Sequence, residues 1–193
     1  DERGMAVQTM RSLTYLQPGE HASCIGCHEY RNRVPAARIS PMAKNRLPSV
    51  IAEGPDGAKP LSYPILVQPV LDKHCVTCHS GSKPDGGLVL TGTPAGSFTT
   101  SYNALAPLVA FSQWQGSPAA NFEPLTRPDR FGARASKLMT MLLKGHEGVE
   151  LSEEDIERLA TWMDANALFY GTFDVDDQKR QQKGERIAGP ALE

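Results

Sequence analysis

Two copies of the pattern C-x-x-C-H constrain this chain more than any other feature of its sequence. They consist of Cys24, Cys27 and His28 in the first copy and of Cys75, Cys78 and His79 in the second. The two copies use all four cysteines of the 193-residue chain, so no cysteine remains for a structural disulfide. We therefore expect each copy to form one binding or redox site that uses both thiols and the adjacent histidine.

Two familiar cysteine sites fit this pattern poorly. Zinc ribbons pair two C-x-x-C knuckles about 15–20 residues apart, whereas 47 residues lie between Cys27 and Cys75. Zinc also does not require a histidine directly after each second cysteine. A thioredoxin-like redox site needs C-x-x-C at a strand-to-helix junction in a βαβ unit, and no β-branched strand pattern precedes either motif.

Covalent c-type haem accounts for every residue of the pattern. Two thioether bonds anchor the edge of the ring, and the adjacent histidine reaches the iron as its proximal ligand. We therefore predict two haem c groups, one on Cys24 and Cys27 with His28, and one on Cys75 and Cys78 with His79. Attachment of this kind takes place outside the cytoplasm, so a periplasmic or extracellular location is expected.

Composition narrows the function further. The formal net charge is −2 and the isoelectric point is about 6.2, which gives no basic surface for nucleic acid. No apolar run approaches the roughly 18 residues of a membrane span. The N-terminus lacks a signal-peptide pattern, so we expect either a removed leader or a piece of a longer chain. The 17 glycines and 15 prolines predict long loops around few helices.

The chain is predicted to have three parts. Residues 1–60 form a loop-rich segment around the first motif, too short to fold alone. Residues 61–173 form a helical unit around the second motif. Residues 174–193 are polar and poor in large apolar side chains, which predicts a flexible tail.

The helical unit begins with a predicted helix that leads into the second motif. Ser62 is the expected N-cap and Pro64 lies in the first turn, while Pro69 fits only near a helix start or at a kink. This helix places Cys75 and Cys78 at its end.

Three further helices are predicted after the second motif. They cover a short stretch around 101–111, residues 136–145 ending at Gly145, and residues 152–169, which Ser152 caps. The order of these elements is that of a small class I cytochrome c, whose first and last helices cross beside the ring. The predicted fold class is thus mainly α, with a loop-rich N-terminal segment that carries the other haem c.

Four stretches of the sequence carry a family resemblance. They read CIGCHEYR, VQPVLDKHCVTCHSGSKPDGGLVL, RFGARASKLMTMLLKGH and VELSEEDIERLATWMDANALFYGTF. They resemble the dihaem cytochrome c domain of planctomycete proteins, which is itself similar to the C-terminal dihaem region of the hydrazine synthase alpha subunit. The resemblance runs from about Gly19 to Phe173. It implies a type of domain more than a reaction, because such domains are attached to many proteins.

His146 is the predicted distal iron ligand of the second haem. It follows the helix that ends at Gly145 and precedes the last apolar helix, where small cytochromes c carry their distal ligand. The resemblance implies the same ligand. A solvated surface histidine is the alternative interpretation of His146. Met139 and Met141 are the competing ligands, although both are expected to serve packing.

The first haem is less constrained by the sequence. In hydrazine synthase the corresponding motif histidine binds zinc, and a tyrosine four residues later binds the iron. The fourth residue after His28 is Asn32 here, and the nearby Tyr30 comes after two, so His28 remains the expected proximal ligand. The candidates for the distal side are Met42, His74, His21 and an open position.

These features predict an electron carrier more than an enzyme. The chain would pass single electrons to or from a larger redox partner or the other domains of a parent enzyme. One alternative is a catalytic dihaem centre whose open iron acts on peroxide or a small nitrogen compound. Another is a redox-sensing or structural module of a larger protein.

Overall fold

The computed structural model describes residues 1–9, 32, 45–47, 54–57, 59–111 and 127–189. The chain divides into two units, one made of residues 1–10 and 53–193 and the other of residues 11–52. Most described residues belong to the first unit, and the structure below is that of this unit. The predicted division at residues 60 and 173 stays a prediction.

The described part of the first unit is built mainly from helices. Its six α-helices and two short strands are α1 (Tyr63–Leu66), α2 (Gln68–His74), β1 (Pro94–Ala95), β2 (Phe98–Thr99), α3 (Thr100–Leu105), α4 (Lys137–Lys144), α5 (Glu153–Asp164) and α6 (Val175–Gln182). The strands pair antiparallel, with Pro94 opposite Thr99. Among these described helices, none is long and apolar enough to cross a membrane. A helical unit with long loops is confirmed, and its class as a haem-binding fold stays a prediction.

The helix predicted to lead into the second motif is split into α1 and α2. Pro69 occupies the second position of α2, where the missing backbone N–H interrupts no hydrogen bond within that helix. The interruption falls at Val67, between the two helices. Ser62 occupies the N-cap position of α1, but its side chain makes no capping hydrogen bond. Pro69 therefore lies near a helix start, one of the two positions expected for it.

Helix α5 begins as predicted and ends early. The Ser152 hydroxyl accepts a hydrogen bond from the Asp155 backbone N–H, and the Asp155 side chain accepts one from the Ser152 backbone N–H, which is a capping box. The helix ends at Asp164 and does not reach residue 169, because Asn166 and Ala167 have positive φ angles of 66° and 54°. The Ala167 N–H then bonds the carbonyl of Trp162 at 3.0 Å, which closes the C-terminus.

The core lies where α5 meets α1 and α2. Trp162 and Met163 of α5 are fully buried, as are Tyr63 and Val67 from the α1 region. The ring centroids of Tyr63 and Trp162 lie 5.1 Å apart in an edge-on arrangement, a geometry that aromatic pairs prefer. The packing of the first helix against the long apolar helix is therefore as predicted, and Trp162 serves the core.

A carboxylate at the end of α5 joins three distant stretches of the chain. Asp164 Oδ2 accepts the Ala6 N–H at 2.8 Å, and Asp164 Oδ1 accepts the Ala133 N–H at 2.7 Å. Gly132 has a φ of 81°, and a Cβ at this position would overlap Asp164 Oδ1. Residues 5–6 thus form a strap that Asp164 holds, and Met5 of this strap is 3% exposed and packs in the core. Residues 1–9 are thus tied into the unit that holds the second motif.

The Asp164→Ala substitution should destabilise this unit strongly. It removes the acceptor of two backbone N–H groups, and a lost hydrogen bond to a charged group costs about 1.5–3 kcal/mol. We expect the free energy of unfolding to fall by about 2–4 kcal/mol, measured by urea unfolding. Asp176→Ala is the matched control, because Asp176 is exposed and its side chain forms a surface ion pair with Lys179, and its effect should stay within about 0.5 kcal/mol. Equal effects for the two variants would contradict the role of Asp164.

The segment predicted as a flexible tail contains helix α6. Asp174 caps it, accepting the backbone N–H groups of Asp176 and Asp177 at 3.0 and 2.9 Å. Gln181 is 1% exposed; its side chain donates to the Leu61 carbonyl and accepts from the Gly171 N–H, both at 3.0 Å. Polar bonds from a buried amide, and not an apolar face, attach this helix.

Candidate functional site

The second C-x-x-C-H motif continues the winding of α2 past its last residue. The Cys75 N–H bonds the Leu71 carbonyl at 2.7 Å, and the Cys78 and His79 N–H groups both bond the Cys75 carbonyl, at 3.2 and 2.9 Å. Cys75 is half-buried against the core, Cys78 is exposed, and both are free thiols. The motif therefore forms one compact turn at the end of the helix.

The electrostatics of Cys75 argue against thiol redox chemistry. Burial, with a smaller contribution from neighbouring Cys78, raises the pKa of the Cys75 thiol. Reactive cysteines have a lowered pKa, because the thiolate is the nucleophile. The raised pKa of Cys75 therefore does not indicate a reactive thiol.

The chain after the motif folds back and forms hydrogen bonds with the last two residues of the motif, Cys78 and His79. The Asp85 N–H bonds the Cys78 carbonyl at 3.0 Å, and the Leu90 N–H bonds the His79 carbonyl at 2.8 Å. A short 3-10 turn over Asp85–Gly87 lies between these two bonds. The backbone of the motif is consequently fixed on both sides.

His146 comes from the tight connection between α4 and α5. Helix α4 ends at Gly145, whose φ of 93° is accessible mainly to glycine. The Val149 N–H then bonds the His146 carbonyl at 2.9 Å, and the turn between them has positive φ at Glu147 and Gly148. This short turn fixes the backbone of His146 directly after the helix.

The imidazole rings of His79 and His146 lie close together and nearly parallel. Their ring centroids lie 6.0 Å apart and their planes differ by 18°. A metal ion bound about 2 Å from one nitrogen of each imidazole would hold two ring centres about 6 Å apart. Nδ1 of His79 is buried and has no hydrogen-bond partner in the described part of the chain. The separation of the two rings therefore fits a pair of histidines that would hold one haem iron.

The same residues do not fit zinc. Among the described residues, no three histidine, cysteine, aspartate or glutamate side chains form a group that could hold a metal ion. Cys75, Cys78, His79 and His146 thus do not converge on one tetrahedral centre, as structural zinc requires. In a haem c the thiols bind the ring edge and only the histidines face the iron, so this donor set fits haem.

The other predicted ligands are placed as follows. Cys24, Cys27, His28, His21 and Met42 lie outside the described residues, so the first haem site stays a prediction. Met139 is 1% exposed and packs in the core, as expected for a packing residue, while Met141 lies at the surface, 38% exposed.

His74 is engaged in an ion-pair cluster at the start of α5. Its Nε2 lies 3.0 Å from Asp155 Oδ2, and Lys73 Nζ lies 3.2 Å from the same oxygen. The Ser152 hydroxyl and backbone N–H also donate to it, at 2.7 and 3.1 Å. This cluster joins the end of α2 to the capped end of α5, and gives His74 a structural partner.

Acid should weaken this cluster. Partial burial would raise the pKa of Asp155, but hydrogen bonds from Ser152, His74 and Lys73 outweigh it and hold the pKa well below its usual value of 3.8. Because the folded-state pKa is the lower one, the carboxylate stabilises the fold above about pH 4, and this stability is lost as pH falls toward the folded-state pKa.

The Asp155→Asn substitution tests this pH dependence. We expect the variant to lose about 1–3 kcal/mol of unfolding free energy at neutral pH, and the gap to narrow below about pH 4. Urea unfolding of both proteins from neutral pH down to about pH 2 measures it. A gap that stays constant over this range would show that the Asp155 carboxylate is not preferentially charged in the folded state.

Part of the chain matches a known protein family. Residues 1–29 match the hydrazine synthase alpha subunit middle domain. This stretch includes the strap that Asp164 holds and the whole first C-x-x-C-H motif. The match supports a relation to hydrazine synthase over these residues. It concerns the middle domain and not the C-terminal dihaem region, so the relation to dihaem cytochromes stays a prediction. No curated protein and no solved structure gives a significant match.

Sequence reasoning missed the polar side chains that support the site. Asp155, Asp164 and Gln68 each hold backbone or side-chain groups near the second motif or near α4. Of these, only Asp155 had a readable signal. It stands three residues after Ser152, in the spacing of a capping box.

Proposed function

We propose that this chain is a dihaem c-type cytochrome that transfers single electrons. The observation that carries the proposal is the parallel pair His79 and His146, 6.0 Å apart, beside the free thiols of Cys75 and Cys78. When bound, haem would supply a one-electron iron(III)/iron(II) couple. His79 and His146 would both hold that iron, which suits electron transfer more than substrate binding.

Each residue of the second site has a role in this proposal. Cys75 and Cys78 would attach the ring, and the turn at the end of α2 holds them. His79 and His146 would hold the iron. Helices α4 and α5 would fix the distance between the two histidines, because α4 ends at Gly145 and α5 begins at the cap of Ser152.

The first haem would be attached in the same way in residues 11–52. Cys24 and Cys27 would hold it, with His28 as proximal ligand and Met42 as the leading distal candidate, followed by His74 and His21. The contact of His74 with Asp155 favours Met42 over His74, since Nε2 of His74 is already bonded. A methionine ligand would raise the potential of that haem relative to a bis-histidine one.

A larger redox assembly is the proposed partner. The match of residues 1–29 to the middle domain of the hydrazine synthase alpha subunit supports a multidomain parent. Electrons would pass to or from other domains of that parent or a separate redox protein. Because c-type haem is attached outside the cytoplasm, we place the protein in the periplasm or outside the cell.

The same match favours a second candidate function. Hydrazine synthase is an enzyme, so this chain could belong to a catalytic assembly in which the first haem has an open iron and acts on peroxide or a small nitrogen compound. The second haem would then supply electrons to it. The state of the first iron separates the two candidates.

Haem stoichiometry and redox titration test the proposed function. A pyridine haemochrome assay should give two haem c per chain, and an optical redox titration should show two one-electron steps. Bound zinc in a protein without haem, or haem that organic solvent extracts, would overturn the proposal.

A further inference from the structure

A buried amide next to the second motif makes an unusually complete set of hydrogen bonds. Gln68, the first residue of α2, is 7% exposed. Its Nε2 donates to the Leu90 carbonyl at 3.0 Å and to Asp72 Oδ1 at 2.7 Å. Its Oε1 accepts from the Ser101 hydroxyl at 2.6 Å. This one side chain therefore joins α2, the segment after the motif and α3.

The direction of every bond in this network is determined. A carbonyl and a carboxylate oxygen can only accept, so Nε2 of Gln68 must face Leu90 and Asp72. Oε1 then faces Ser101 and accepts a hydrogen bond from its hydroxyl. The Thr99 hydroxyl, 3.1 Å from the Ser101 oxygen, is left as the donor to Ser101. Since the network is buried and each amide group is bonded, Gln68 has one orientation.

Leu90 connects this network to the proposed iron ligand. Its carbonyl accepts from Gln68, and its N–H donates to the His79 carbonyl at 2.8 Å. Cys75, four residues before His79, is attached to α2 directly, because its N–H donates to the Leu71 carbonyl. His79 and Cys75 are thus both connected to α2 by hydrogen bonds. His79 is connected through Leu90 and Gln68, and Cys75 through the carbonyl of Leu71.

We propose that Gln68 is a positioning residue for His79. It holds Leu90 against the His79 carbonyl and so fixes the orientation of the imidazole toward the iron. Groups that orient a metal-bound histidine tune the metal, and Nδ1 of His79 has no hydrogen-bond partner in the described residues. Leu90 thus acts on His79 through its backbone carbonyl and not through the imidazole. This inference rests on the proposed function, because it takes His79 as an iron ligand.

The Gln68→Met substitution in the haem-loaded protein tests the proposal. Methionine keeps the length of the side chain but cannot donate to Leu90. The Leu90 amide should exchange with deuterium about fivefold faster, the factor expected for one net hydrogen bond, measured by NMR. The low-spin electron paramagnetic resonance signal of one haem should shift, and its reduction equilibrium should change at least threefold, while the other haem keeps its signal and potential.

Gln182→Met is the matched control. Gln182 also donates from Nε2 to two carbonyls, those of Gly96 and Phe98, both at 2.9 Å, but it lies on α6 and not beside the motif. It should leave both haem signals unchanged. Ser101→Ala is the second variant in case Gln68→Met does not fold. It removes the donor to Oε1 and the acceptor of the Thr99 hydroxyl but leaves the bond from Nε2 to Leu90, so it should shift the same haem signal in the same direction, by less.

The outcomes separate this inference from the proposed function. Folded Gln68→Met with unaltered spectra and potentials would overturn the positioning role and leave the cytochrome proposal standing. Equal shifts in Gln182→Met would also overturn it. Wild-type protein with no haem c would overturn the proposed function itself, and the exchange rate of the Leu90 amide would then report only on the hydrogen-bond network.

Discussion

Replacing His146 with alanine should convert one of the two haems from low spin to high spin. The imidazole of His146 lies parallel to that of His79 at 6.0 Å, and its removal would leave one face of the iron without a strong protein ligand. The side chain is half-buried in a surface turn, so the fold should survive its loss. Optical and electron paramagnetic resonance spectra of the oxidised variant measure the change.

The controls for His146→Ala use the same end of the molecule. Added imidazole should refill the vacated position and restore the low-spin spectrum, a rescue that an unfolded protein would not show. Met141→Ala, at an exposed position of α4, should leave both haems unchanged. A wild-type spectrum in His146→Ala would remove His146 as a ligand and leave the second haem with another distal group.

Replacing Cys75 and Cys78 together with serine should reduce the haem c content from two per chain to one. Serine cannot form the thioether bonds, and His79 alone holds a haem only by coordination. The loss should also lower the melting temperature, because a ligand that binds only the folded state stabilises it by mass action. Pyridine haemochrome analysis after acid–acetone extraction measures the covalently bound fraction.

The complementary variant assigns each haem signal to one of the two motifs. Replacing Cys24 and Cys27 with serine should remove the other haem and leave the His79–His146 signal alone. If either double variant kept two covalent haems, the assignment of one haem to each motif would be wrong. Loss of both haems in one variant while the protein stays folded would mean that the two sites are not independent.

Local sequence signals predicted the starts of helices better than their ends. Ser152 and the acids after it form a capping box, which acts within four residues and is visible in the sequence. The end of α5 depends on positive φ angles at Asn166 and Ala167, and alanine gives no warning of such a conformation. The apolar pattern continued through residue 169, so the helix was predicted five residues too long.

Helix α6 escaped prediction because its attachment is polar. The expectation for residues 174–193 was based on the lack of large apolar side chains, which usually means that a segment cannot bury enough surface to order. Gln181 instead bonds the backbone of Leu61, 120 residues earlier in the chain. The hydrogen bonds of Asp164 and those of Gln68 also join residues far apart in sequence. The periodicity of apolar residues does not predict such pairs.

The residues around the second motif could be named from the sequence because C-x-x-C-H is a fixed pattern, and their role in holding a haem stays a prediction. Cys75, Cys78 and His79 follow from C-x-x-C-H, and His146 follows from its place between two helices. Its separation from His79 could not be predicted, because it depends on how α4 and α5 are held against α2. The ligands assigned to the first haem lie outside the described residues and stay predictions.

Low-temperature electron paramagnetic resonance of the oxidised protein, with and without cyanide, tests most directly whether His79 and His146 bind one iron. Imidazole planes only 18° apart act on the same iron d orbital, which gives a rhombic low-spin spectrum, whereas perpendicular planes give a strongly axial one. We expect a rhombic signal that cyanide leaves unchanged and that His146→Ala abolishes. A spectrum without such a signal, or one in which cyanide converts both haems, would contradict bis-histidine ligation of the second haem.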